Sequence, residues 1–305
     1  MRVLVTGAGG FLGRGLTARL ADTLPQAKRI VLTDRVVEGL CGAGMETMAG
    51  DLSDPAFRRA LLDPGFDLVF HLASIPGGLA EREQGLGLNV NLLTPIGLAE
   101  EVAAQRPGAR LVFASSIAVY GDLGQDRVTD ATVCQPELTY GAHKRMTEIL
   151  LSDMTRRGVL SAISLRFPGL VARPATESGH GSAFMSQIFH SIAAGDAYTC
   201  PVAAESACWW MSRPAAVNIL LHAAGASNAV PTVIQPPVLH ESVGNVANAI
   251  ARVTGQMAKV QFGDDATLQR IFGAMPKLDA STANSFGFQA DLDLDALVKA
   301  ALSGD

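Results

Sequence analysis

Aromatic side chains are scarce in this chain: 6% of 305 residues, with two tryptophans and three tyrosines. So few rings give no stacking platform for exposed bases, and no basic stripe follows the sequence. A formal charge of −5 adds to the case against a nucleic-acid partner. Cysteine is limited to Cys41, Cys134, Cys200 and Cys208, which lack metal-ligand spacing. So few cysteines in so long a chain do not make a disulfide framework, so they read as reduced thiols of a cytoplasmic protein. Long apolar runs are missing too. The longest uncharged stretch, Pro214 to Leu239, is broken by Asn218, His222, Asn228 and Gln235, which excludes a membrane span there. The opening MRVLVTGAGGFLG lacks a convincing small-residue cleavage site and does not read as a signal peptide. What is present, 48% apolar against 17% charged residues, suits a globular protein with a substantial core.

Short continuous apolar runs recur at Val3–Thr6, Ile30–Thr33, Leu68–Leu72, Leu111–Ala114 and Ala162–Phe167. Runs of this kind are expected of strands covered on both faces. Between them lie helical stretches, notably Phe11–Leu24, Asn89–Gln105 and Tyr140–Arg157. The alternation predicts an α/β fold, a Rossmann-type doubly wound parallel sheet. From about Arg173 glycine, serine and proline become frequent. Residues 1–170 are therefore read as the dinucleotide-binding domain. Residues 171–305 are read as a smaller C-terminal substrate-binding part packed on it, with some crossing of the chain between the two.

The first strand runs into Gly7-Ala8-Gly9-Gly10-Phe11-Leu12-Gly13. Gly7 permits a tight turn, Gly10 close approach of a pyrophosphate, and Gly13 close packing of helix on strand. The helix start, with Phe11 and Leu12, presents amides and a positive dipole end to the phosphates. Asp34 ends the second strand about twenty residues beyond Gly13, where a carboxylate accepts the ribose hydroxyls and repels a 2′-phosphate. That favours NAD over NADP, with Arg14 and Arg35 weighing slightly the other way. Asp51, in Gly50-Asp51-Leu52, is a candidate for the adenine edge, and an Asx turn explains it equally well.

Tyr140 and Lys144 stand four residues apart and so share a helix face. An ammonium beside a phenol favours phenolate and turns a poor base into a usable one. Ser115 and Ser116 follow the strand Leu111–Ala114 at its carboxyl end, where parallel sheets bind ligands. Ser116 is the candidate donor to the reacting oxygen. Tyr140, Lys144 and Ser116 are thus the expected catalytic residues.

Together these segments resemble the extended short-chain dehydrogenase/reductase family, whose members include NAD-dependent sugar epimerases and dehydratases. The resemblance spans essentially the whole chain. It implies cofactor contacts at Gly7, Gly10, Phe11, Leu12, Gly13, Asp34, Asp51 and Leu52. His71-Leu72-Ala73-Ser74 is similar to the family's fourth-strand end, which implies that Leu72 and Ala73 line the cofactor. Asn89-Val90-Asn91 resembles the segment whose first asparagine supports the site. Ser115-Ser116-Ile117-Ala118-Val119-Tyr120-Gly121 and Tyr140-Gly141-Ala142-His143-Lys144 resemble the serine and tyrosine–lysine motifs. Leu165-Arg166-Phe167 begins the sixth-strand motif, and Gly287-Phe288 resembles the closing pair.

Two departures bear on the substrate. Gly169 stands about where the family usually has asparagine, within Pro168-Gly169-Leu170-Val171-Ala172-Arg173-Pro174, which argues against a nucleotide sugar. Ile117-Ala118 replaces the Asp-Glu pair usual in 4,6-dehydratases. The Val-Ala-Arg-Pro run and Trp209–Pro214 are more like members acting on small sugar acids. The leading expectation is an NAD-dependent dehydrogenase that oxidises the C2 hydroxyl of such an acid to a 2-oxo acid. Arg173, then Arg213, is the candidate anchor for its carboxylate, and Ser74 for a hydroxyl. Trp209 and Trp210 either wall the pocket or pack the smaller part. Nucleotide-sugar epimerase or dehydratase is the second enzyme reading, and an NAD-sensing regulator the non-enzyme one. The resemblance also implies a homodimer through Asn89–Gln105 and Tyr140–Arg157.

Overall fold

The first run of branched apolar residues, Val3-Leu4-Val5, is wholly buried, as a strand covered on both faces requires. The computed structural model describes residues 1–40, 44–63, 65–124, 127–174 and 182–303; Cys41 and His180 lie outside them. Strand β1 (Arg2–Thr6) leads into helix α1 (Phe11–Thr23), then β2 (Arg29–Asp34) and β3 (Met45–Ala49). Helix α2 (Pro55–Leu62) follows, capped by the Asp54 carboxylate and started by a proline, before β4 (Leu68–His71). The strand β3 was not expected. Its half-exposed sequence METMA pairs with β2 alone, so it carries neither a buried run nor a clean alternation.

Beyond β4 come α3 (Gly77–Arg82) and α4 (Gln84–Leu88), a π-helical turn (Asn89–Leu93) and α5 (Thr94–Gln105). The expected helix Asn89–Gln105 therefore opens in a π turn, immediately ahead of Pro95, which has no N–H for a regular ladder. Strands β5 (Arg110–Ser116) and β6 (Arg127–Val128) precede α6 (Thr139–Arg156), which leads to β7 (Ser161–Phe167) and β8 (Gly169–Leu170). The rest runs α7 (Phe184–Ala194), β9 (Tyr198–Cys200), β10 (Ala207–Met211), α8 (Arg213–Gly225), β11 (Val233–Ile234), β12 (Leu239–Ser242), α9 (Val243–Thr254), β13 (Val260–Phe262), α10 (Ala266–Phe272), β14 (Lys277–Leu278), α11 (Ser281–Ser285) and α12 (Leu294–Leu302).

Seven strands form one parallel sheet in the order β11-β7-β5-β4-β1-β2-β3, a doubly wound Rossmann arrangement. The winding reverses between β1 and β4, and at such a reversal the carboxyl ends of the strands leave a crevice for a ligand. One face of this sheet buries Leu16, Leu20, Phe70 and Ile163 with Ala216 and Leu220 of α8. The other packs Leu98, Val102 and Leu151 from α5 and α6.

Of residues 171–305, α8 and β11 join the large sheet and Ala283 and Phe288 pack into its core, while α7, α9 and α12 build a second core. That core joins α7, α9 and α12 through Phe189, Ile192, Trp210, Val246, Ile250 and Leu297. Strands β8, β10 and β12 form a small sheet beside it; β9 pairs with β13, and β6 with β14. Among the described residues, no helix is long and apolar enough to cross a membrane.

Candidate active site

At the reversal point the backbone of the glycine turn touches the end of β4. Gly7 has φ +70°, and a Cβ there would meet the Ala73 amide at 2.5 Å. A Cβ on Gly13 would overlap the Gly7 carbonyl, so α1 approaches β1 only because both are glycine. Gly10 is the N-cap of α1, and no side chain caps that helix, which leaves its first amides for an anion. The Asp34 carboxylate accepts the Gly9 amide at 3.0 Å and the Arg35 amide at 2.7 Å, which ties β2 to the turn. Asp51 is held in an Asx turn, accepting from the amide and hydroxyl of Ser53, and Leu52 is buried.

Beside this turn opens a cavity of about 490 Å³, lined by Leu12, Leu72, Ser74, Ser116, Tyr140, Lys144, Phe167 and Arg173 among others. Lys144 is buried; its ammonium donates to the Ala114 carbonyl at 2.8 Å and lies 4.6 Å from the centre of the Phe113 ring. Its nitrogen is 5.4 Å from the centre of the Tyr140 ring. Burial brings the Lys144 ammonium down to about 7, against the pull of Glu148, which raises it. Burial raises the Tyr140 phenol, whereas hydrogen bonds from Ser74 and Ser116 and the charge of Arg173 lower it. A phenol, an ammonium and a hydroxyl therefore share one pocket wall, with the guanidinium close enough to bias the phenol.

Arg173 follows Ala172, whose φ of 55° is the one positive value on a non-glycine among the described residues. Such a conformation is strained and is held here by the packing of the second core. The guanidinium donates to Ser182 Oγ at 3.1 Å, and burial lowers its pKa. Arg213 stands elsewhere: its guanidinium lies 4.9 Å from the centre of the Phe11 ring, and its stem covers Gly15 of α1. It is not among the residues lining the cavity.

The fine placement differs from the sequence expectation at two positions. Asn91, rather than Asn89, turns inward from the π turn. It accepts from Ser74 Oγ at 3.0 Å and from the Ile75 amide at 2.9 Å, and donates to the Ile75 carbonyl at 3.1 Å. Ser115 lines the cavity, as expected, but its hydroxyl donates to the buried Glu148 at 2.6 Å. Trp209 lines the cavity, whereas Trp210 packs in the second core. Sequence reasoning missed the roof, built by Arg270, Ile271 and Phe272 of α10 with Met275. Arg270 reaches Asp122 at 3.3 Å and Glu137 at 3.2 Å across the mouth.

A family model described as "NAD dependent epimerase/dehydratase family" matches residues 3–209. The chain belongs to this family. The D-erythronate dehydrogenase of Cupriavidus necator is 36% identical over 98% of this chain and 97% of its own length. That of Haemophilus influenzae is 27% identical, end to end in both. A solved nucleoside-diphosphate-sugar epimerase from Agrobacterium tumefaciens superposes with a TM-score of 0.90 at 27% identity, over 100% of this chain and 94% of that one. The chain is an NAD-dependent oxidoreductase of the extended short-chain dehydrogenase/reductase type. Its residues fit the cofactor: an uncapped helix start for the pyrophosphate, a carboxylate at the end of β2, and a buried ammonium with donors to spare beside the cavity.

Proposed function

We propose that this family member oxidises the C2 hydroxyl of a small aldonic acid, of the size of D-erythronate, to the 2-oxo acid. The single observation that carries the reading is one cavity holding Tyr140, Ser116 and Lys144 together with the half-buried Arg173. A neutral sugar offers the half-buried guanidinium no countercharge, whereas a carboxylate binds it through two charge-assisted hydrogen bonds. The relatives named D-erythronate dehydrogenase support the same substrate class.

Bound NAD would supply the hydride acceptor for C2. The uncapped start of α1 and Gly10 would hold its phosphates, Asp34 its adenosine ribose, and Lys144 its second ribose. Leu72, Ala73 and Phe167 would border it. Arg173 fixes the substrate carboxylate and so determines which carbon faces the cofactor. Ser116 and Ser74 hold the C2 oxygen, and Tyr140, as phenolate, takes the hydroxyl proton as the C–H bond breaks. Lys144 keeps that phenolate charged. Asn91 orients Ser74.

The protein is proposed to work as a cytoplasmic homodimer. Leu88, Leu93, Met146 and Ile149 expose apolar surface on α4, the π turn and α6, which pack side by side. The described cysteines Cys134, Cys200 and Cys208 are unpaired thiols, as a reducing compartment requires.

A panel of four- to six-carbon aldonic and uronic acids with NAD, followed by NADH absorbance, tests the substrate class. Stoichiometric NADH with a short aldonate is expected. Activity confined to nucleotide sugars, with no net NADH, refutes it in favour of an epimerase.

A further inference from the structure

Glu148 is the fourth residue beyond Lys144 on α6, on the same helix face as Tyr140 and Lys144, and its side chain is fully buried. It does not touch the cavity. Its carboxylate accepts Ser115 Oγ at 2.6 Å, the Arg166 guanidinium at 2.9 and 2.8 Å, and Arg145 at 3.1 Å. Ser115 and Arg166 face each other across β5 and β7. Ser115 lines the cavity beside Ser116 on β5, and Arg166 precedes the cavity residue Phe167 on β7. Arg166 also lies 4.9 Å from the centre of the Tyr120 ring, which meets Trp209 of the cavity wall edge-on. A buried ion pair of this kind adds little to stability compared with apolar packing, but removing one partner leaves a charge unpaired. What it does supply is fixed geometry, with each oxygen engaged by named donors.

We propose that Glu148 is a positioning residue for the reaction. Its carboxylate ties the ends of β5 and β7 to the face of α6 that bears Tyr140 and Lys144, and supplies the countercharge for the Lys144 ammonium. The inference rests on the proposed roles of Tyr140 and Lys144. The groups around Lys144 are Tyr140 and Glu148 on α6, the Ala114 carbonyl and Phe113 ring on β5, and His71 on β4. His71 is neutral over the working range, because burial holds it near 3. Glu148 is therefore the anion in that set, apart from Tyr140 once ionised. Its charge opposes the burial that strips the lysine of its proton. Without it the ammonium is lost at lower pH and the neighbouring phenolate forms at higher pH.

The test is Glu148→Gln in the full-length chain, which keeps the shape and removes the charge. The first readout needs no substrate. The ultraviolet difference titration of Tyr140 with NAD bound, corrected with a Tyr140→Phe background, moves up by about one pH unit. The second is turnover: kcat falls about tenfold, a one-unit effect on the reacting pair. Glu148→Asp restores the titration but only part of the rate, because the charge returns and the reach does not. A folded Glu148→Gln protein with the parent titration and a rate within twofold overturns the proposal. Where that variant does not fold, Ser115→Ala decides, since it leaves the ion pair intact. A fall in kcat of about fivefold, the scale of one hydrogen bond, is expected with the KM for NAD unchanged. A parent-like kcat overturns the positioning role. If the parent turns over no sugar acid, the substrate reading fails alone, and the phenolate titration still decides the role of Glu148.

Discussion

Tyr140 is the residue proposed to take the proton, and its environment makes a definite demand. Its phenol is raised by burial and lowered by two serines and a guanidinium, so ionisation depends on the charges around it. Tyr140→Phe is expected to lower kcat by about 10²–10⁴-fold, the range for a positioned general base, while the Kd for NAD by fluorescence stays within a few-fold. Arg173→Lys keeps the charge and loses the planar fork. The KM for the acid should rise about tenfold, or roughly 1.4 kcal/mol, and NAD binding should not change. An unchanged KM would remove Arg173 as the carboxylate anchor. The pair Tyr140 and Lys144 was legible in the sequence because a four-residue spacing on a helix has one geometric meaning. Asn91 was not, since a π turn changes which side chain of Asn89-Val90-Asn91 faces inward. Glu148 was not either: a glutamate on a helix reads as solvated until its partners on β5 and β7 are seen.

Elements carry the next set of constraints. Helix α6 bears Tyr140 in its first turn, and Leu138 gives it no side-chain cap. The Glu81 carboxylate of α3 fills that place, accepting from the Thr139 amide and hydroxyl. Glu81→Ala should cost about 1 kcal/mol, the value of a cap, and lower Tm by a few degrees. Because Tyr140 is adjacent, kcat should fall with it; a normal Tm with normal kcat would show the contact to be idle. Strand β4 contributes a pH dependence. His71 is buried against Thr6 Oγ1 at 2.7 Å, and burial depresses its imidazole from 6.5 to about 3. A group with a depressed folded pKa favours folding fully above 6.5, and this contribution is lost as pH falls from 6.5 toward 3. Melting temperature should therefore drop steadily over that window, and less so in His71→Gln. Equal slopes in the two proteins would contradict the assignment. At this scale the buried strands were readable from apolar runs, whereas β3, a half-exposed edge strand with neither a buried run nor an alternation, was not.

The whole molecule sets the cavity between two cores that the chain visits more than once. The large sheet was legible from alternation. The roof over the cavity was not, because Arg270 closes on Asp122 from 148 residues away and nothing local announces it. The exposed Met146 and Ile149 on α6 belong to this scale as well. Light scattering should give a dimer mass, and Ile149→Arg should shift it toward monomer; a monomeric parent would contradict the proposed assembly. The most direct measurement follows the hydrogen itself. With D-erythronate deuterated at C2, one deuterium is expected in the NADH formed and none in the 2-oxo acid. Unlabelled NADH, or a product oxidised at another carbon, would contradict it.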